Sequence, residues 1–307
     1  MSDVNRKHKF IGVSAVLFSA VCFALTSILI KTAFTLKLTP FQILALQSWL
    51  ASLILLAYGL IFDYKIFRIS KRLALILTFQ GLIGSLGTSV LYAYALLYLP
   101  VSLATLLLYL YPVLVMGLGV LFLKKKVGFK EKIALMCTLI GTSLASGIFS
   151  GVGEISLRGI LFGIVSAVAY ASFNVVGEVA LNEVSPLTAM SYSQWFSSLG
   201  LLFYFKGNVL QIPWSNPEVW GLGIAFATIA SILPFYLILV GIQKIGSDQA
   251  AILSTFELPV TFIMAAIILK EIPSPAQWLG GGFVLGGIIM LNWRSSYERK
   301  QTCESID

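Results

Sequence analysis

Charge is scarce in this chain of 307 residues: 11% is Asp, Glu, Lys or Arg, against 58% hydrophobic. So little polar surface cannot clothe so much apolar side chain, which excludes an ordinary water-soluble domain and leaves the bilayer as the solvent for much of the chain. Histidine is nearly absent, since His8 stands alone in a basic leader. Neither metal ligands nor a Ser-His or Cys-His pair can therefore be assembled at membrane depth, and a membrane-embedded enzyme is disfavoured. The three cysteines, Cys22, Cys137 and Cys303, fall in two apolar runs and a tail, which excludes a disulfide framework. No Gly-x-x-x-x-Gly-Lys-Ser/Thr run or soluble segment is present to house a nucleotide motor, and no cofactor motif is found. A scaffold or receptor would need longer extramembrane segments than these loops.

What is present is a series of apolar runs close to the ~20 residues that cross a bilayer. They fall near 10–31, 41–62, 73–99, 101–123 and 132–149, then 158–181, 187–205, 219–243, 249–269 and 275–293. The expected fold is an all-α integral membrane protein with ten transmembrane helices. No small-residue cleavage site follows the first run, so it reads as an anchor rather than a removable signal. The net charge of +8 sits in short clusters between runs rather than along one helix face, which argues for topology and against nucleic acid. With both termini on one side, that side collects all the Lys and Arg residues except Lys31, Lys37, Arg158, Lys206 and Lys270. Both termini are expected to be cytoplasmic, in the cell membrane.

The chain also matches itself. "SAVCFA" from Ser19 lies on "SAVAYA" from Ser166, an offset of 147, and the same offset puts Gly12 on Gly159, Gln47 on Gln194, Ala104 on Ala251, and Pro112-Val113 on Pro259-Val260. Composition could explain one such pair, but not a single ungapped register through several spans. Each copy holds five spans, an odd number, so the second enters the membrane from the opposite side. Two inverted five-helix repeats, 10–150 and 157–293, are expected between a leader (1–9) and a tail (294–307). That arrangement belongs to secondary transporters, which bind a small solute at the repeat interface and open to each side in turn.

The segments "SAVAYASFNVV", "AAILSTFELPVTFIMAAIILKE" and "GGGFVLGGIIML" resemble the EamA-type branch of the drug/metabolite transporter superfamily, over residues 10–293. The resemblance implies ten helices, cytoplasmic termini and movement of small metabolites, often amino acids or toxic compounds, outward. A multidrug or nucleotide-type exchanger of the same fold is the alternative.

Several residues could line the pathway. Ala20, Ala24, Ser27 and Lys31 share one helical face, and their repeat equivalents are Ala167, Ala171, Asn174 and Glu178. Such stripes serve close packing, while Ser27 and Asn174 are candidates for substrate contact. Lys31 and Glu178, near opposite membrane surfaces, either snorkel or act as gates. Tyr92, Tyr109 and Tyr111 crowd the third and fourth spans, either bonding neighbouring helices or forming an aromatic wall; Gln194 and Trp195 invite the same two readings. Glu257 is central in its span, on a face with Ala250, Ser254 and Thr261, and cannot snorkel. It couples transport to protons, binds a substrate amine, or bonds the helix broken at Pro259. At an offset of 147 its partner is Leu110, so the carboxylate departs from the internal symmetry.

Overall fold

The computed structural model describes residues 3–145, 156–205, 212–268, 270 and 273–292, all helical or in connecting turns. The side chains of Ser27 and Lys31, together with Glu271 and the tail from 293, lie outside the described residues. In chain order the helices are α1 (Asp3–Thr35), α2 (Pro40–Ile61), α3 (Lys71–Tyr98), α4a (Val101–Leu108), α4b (Tyr111–Leu123), α5 (Phe129–Ala145), α6 (Leu157–Ala180), α7 (Pro186–Phe205), α8 (Pro217–Ile245), α9a (Ser247–Ser254), α9b (Glu257–Ile268) and α10 (Pro275–Asn292). Among the described residues seven helical stretches are long and apolar enough to cross a membrane: α1, α2, α3, residues 103–123 of α4, α6, α8 and the α9 pair. Polarity lowers α7, which carries the buried Ser191, Ser193, Gln194, Ser197 and Ser198.

The surface is the reverse of a soluble protein's. Phe10, Phe18, Leu53, Phe62, Leu75, Leu121, Phe122 and Phe203 are exposed, while serines, threonines and amides are buried. Water would penalise that exterior; hydrocarbon does not, and among the described residues buried polar side chains find hydrogen bonds within the bundle, except at Gln80 Oε1, Ser191 Oγ and Ser193 Oγ. One buried apolar cluster draws on both halves of the chain, through Val16, Leu77, Phe173, Leu239, Leu253 and Val284.

The backbone repeats, with a shift that the identities do not show. Thr39 and Ser185 each receive the N–H three residues on at a helix start. Ser70 and Asn216 cap α3 and α8, and a π-helical stretch opens at Gln80 in α3 and at Phe226 in α8. Lys124 and Lys270 are left-handed, at φ 51° and 55°, and α5 and α10 start at Phe129 and Pro275. Each of these pairs is 146 residues apart. In the first helix of each half the offset stays at 147. Ser19 Oγ donates to Pro234 O at 2.8 Å, and its counterpart Ser166 Oγ donates to Thr88 O at 3.0 Å. The expected ungapped register thus slips by one residue between the first and second helices, where a turn absorbs it.

Contacts between the halves are reciprocal. Trp49 Nε1 donates to Ser198 O at 3.4 Å and Trp195 Nε1 to Ser52 O at 3.1 Å. Ser198 Oγ donates to Ser48 O at 2.8 Å and Ser52 Oγ to Gln194 O at 3.2 Å. Each bond is the repeat image of the other, the pattern of an isologous two-fold interface. Helices α5 and α10 run antiparallel at close range: a Cβ on Gly141 would stand 2.6 Å from Gly280 O, and one on Gly287 2.9 Å from Ala134 O. Only glycine permits that approach.

Candidate functional site

A cavity of about 270 Å³ lies between the halves. Phe23 and Thr26 of α1, Leu44, Gln47 and Ser48 of α2, Ser85, Thr88, Ser89 and Tyr92 of α3, and Leu108 of α4a line it from the first half. Gln194 and Ser197 of α7 with Ala230 and Phe235 of α8 line it from the second. Its wall is neutral and rich in hydroxyl and amide groups. Ser85 and Ala230 belong to the π-helical stretches, which expose carbonyls that a regular helix would satisfy. Pro234 has no N–H to offer Ala230 O one turn earlier, and Gln47 Nε2 takes that carbonyl at 3.2 Å. Gln194 Nε2 binds both Ser48 O at 3.2 Å and Ser48 Oγ at 3.1 Å, while Ser231 Oγ reaches Gln194 Oε1 at 3.4 Å. Gln194 therefore lines the cavity and helps close the seam between the halves.

A second polar cluster lies where α4 and α9 break; Tyr92 connects it to the cavity, whose lining does not include Glu257. In α4 the break falls at Tyr109-Leu110, before Pro112; in α9 it falls at Thr255-Phe256, before Pro259. The tightened turn sends Thr255 N to Ile252 O rather than to Ala251 O, and Tyr111 Oη of α4b donates to the freed Ala251 O at 3.1 Å. Glu257 is the first residue of α9b, and the Tyr109 hydroxyl donates to its carboxylate. Tyr92, Tyr111 and Tyr170 stand within electrostatic range of that carboxylate. The rings of Tyr111 and Tyr170 are 4.5 Å apart at their centroids, and those of Tyr109 and Tyr111 6.2 Å. Tyr92 belongs to both sites: it lines the cavity, and its hydroxyl shares a 2.8 Å hydrogen bond with Thr105.

The structure thus places three of the expected residues, Tyr92, Tyr109 and Tyr111, near a fourth, the carboxylate of Glu257. It adds Tyr170, whose signal in the sequence was its place one turn before Asn174 on the same face. Asn174 is buried, and its Nδ2 donates to Tyr170 O at 2.8 Å within its own helix. Trp195 stacks on Phe67 at 5.5 Å and is not among the residues lining the cavity. The one-residue slip also changes the partner of Glu257. In the backbone register it falls on Tyr111, not Leu110: Leu114 N bonds Leu110 O just as Val260 N bonds Phe256 O.

Glu178 does not snorkel alone. Lys125 Nζ bridges Glu178 Oε2 and Asp248 Oδ1, each at 2.7 Å, and Ser247 N donates to Glu178 Oε2 at 2.8 Å. This joins the ends of α4b and α6 to the start of α9a. The sequence places Lys125 in an undistinguished lysine run, so nothing local marked it. At the repeat-equivalent positions of Lys125 and Glu178 the sequence holds Glu271 and Lys31, with the signs of charge exchanged.

Residues 10–147 and again 157–293 match the EamA-like transporter family. An uncharacterized transporter of Archaeoglobus fulgidus is 31% identical over 63% of this chain and 67% of its own length. The uncharacterized transporter YcbK of Bacillus subtilis is 23% identical over 92% of this chain and 93% of its own. A protein crystal structure superposes with a TM-score of 0.74 at 19% identity, covering 94% of this chain and 96% of that one, a likeness of fold.

Proposed function

This chain belongs to the EamA-like transporter family, and from that premise we propose that it is a secondary transporter working by alternating access, exporting amino acids or related small metabolites across the cytoplasmic membrane. The reading takes ten spans in two inverted five-helix repeats, with both termini cytoplasmic. It is supported by the antiparallel pairing of α5 with α10 and by the reciprocal bonds between α2 and α7, because a two-fold that exchanges antiparallel helices runs across the bundle. The observation that carries it is the neutral cavity lined from both halves, with the corresponding helices α2 and α7, and α3 and α8, among its walls. A rocking motion of one half against the other would open such a cavity to either side.

Under this topology the Lys125 cluster lies on the cytoplasmic side and holds it shut, which gives Glu178 a gating role. Lys31 would take the corresponding place on the outer side. Protons are the candidate coupling ion, through Glu257. The test is counterflow in proteoliposomes with labelled amino acids and other metabolites, with and without a proton gradient. Saturable exchange supports the reading; conductance without exchange would identify a channel instead.

A further inference from the structure

We infer that the cargo is a small organic cation, an amine or quaternary ammonium compound lacking an acid group, held with its charge at Glu257 and its body in the neutral cavity. This rests on the transport reading above and, among its small metabolites, takes amines in place of the amino acids named there.

Among the described residues Glu257 is a carboxylate without a cation: no Lys, Arg or His lines the cavity or neighbours Glu257, and its carboxylate accepts a hydrogen bond from the Tyr109 hydroxyl. An ionised carboxylate at such a depth needs a counter-charge, and a cationic solute provides it. The surroundings suit that ligand. The Tyr109 hydroxyl meets the carboxylate and Tyr92, Tyr111 and Tyr170 lie within electrostatic range of it, and electron-rich rings stabilise ammonium groups, most strongly when water is displaced. The scaffold does not require them, because the repeat-equivalent positions of Tyr92, Tyr109 and Tyr170 hold Ile238, Thr255 and Phe23.

The same inventory disfavours a zwitterion. The carboxylate of a free amino acid would enter a cavity whose described walls offer hydroxyls and amides but no positive charge, beside the negative charge of Glu257. Burying it there carries a desolvation cost with no ion pair to offset it. An amine of similar body avoids that cost. The cavity volume of about 270 Å³ suits a compact solute rather than a large drug.

Three labelled probes with one common body decide the matter: tyramine (cation), tyrosine (zwitterion) and 3-(4-hydroxyphenyl)propionate (anion). Binding to the purified full chain and counterflow in proteoliposomes are measured, with empty liposomes subtracted. Tyramine is expected to bind at least tenfold more tightly than tyrosine, and the anion not to bind. Glu257→Gln should lower tyramine affinity at least tenfold. If that variant fails to fold, Tyr170→Leu should weaken tyramine several-fold while Tyr170→Phe retains it. Exchange of tyrosine without tyramine, or full tyramine binding in folded Glu257→Gln, overturns the cation assignment and leaves transport standing. A folded chain that exchanges none of the three, nor any solute in the metabolite panel, overturns the transport reading together with it.

Discussion

The two halves of this molecule share a backbone and differ in chemistry. Both cap their second and third helices at corresponding positions, both turn π-helical at corresponding points, and both break a helix beneath a proline. Yet Tyr111 in one half answers to Glu257 in the other, and the remaining tyrosines around that carboxylate answer to apolar or small residues. On the proposed alternating-access reading, symmetry in the backbone would serve motion, since two equivalent halves can exchange conformations at similar free energy. On the same reading, asymmetry in the side chains would serve recognition, since one solute needs one binding site.

Removing the shared cation should disturb this relation most. Lys125→Ala leaves Glu178 and Asp248 facing each other without a counter-ion, and a charge-assisted contact of this kind contributes about 1.5–3 kcal/mol. The population should shift toward the cytoplasmic-open form. A single cysteine placed at Ser197 in a cysteine-free chain should become more reactive to a membrane-impermeant thiol reagent on that side; unchanged labelling would deny the cluster a gating role.

Next come Gly141→Leu and Gly287→Leu, which drive a side chain into the opposing backbone at mirrored points. Each should lower stability by about 1–3 kcal/mol, read as thermal inactivation in detergent. Tolerance at one site and failure at the other would break the equivalence of the α5–α10 contacts.

A smaller effect attends the carbonyl freed by Pro234. Gln47→Ala should cost about 1 kcal/mol by leaving Ala230 O without its donor. In a Pro234→Ala background, where the backbone N–H returns, the loss should shrink; an additive double mutant would refute that account. The smallest expected effect is the most sensitive to symmetry. Ser19→Ala and Ser166→Ala each remove one mirrored bond, worth about 0.6 kcal/mol between membrane helices, and should match closely in thermal inactivation.

Much of the site was legible in residue order. Glu257 stood out because a carboxylate in the middle of an apolar run is costly, and Tyr109 and Tyr111 because mid-span hydroxyls need partners. Tyr170 did not stand out, since its importance lies in facing α4 and α9, far away in the chain. Lys125 was hidden for the same reason: a lysine in a lysine run gains meaning only when Glu178 and Asp248 meet it. The register slip was invisible because chance identities such as Pro112 with Pro259 favour 147, while caps, π-helical stretches and left-handed residues follow backbone geometry at 146.

Composition and periodicity by themselves determined that this protein is helical, lives in a membrane and is doubled, because apolar length and internal likeness are properties of the chain in order. Tertiary structure alone decided which side chains share a cavity, which carbonyls are released by the breaks, and which cation Glu178 meets. Those depend on distances between residues remote in sequence, and such distances exist only once the helices have packed.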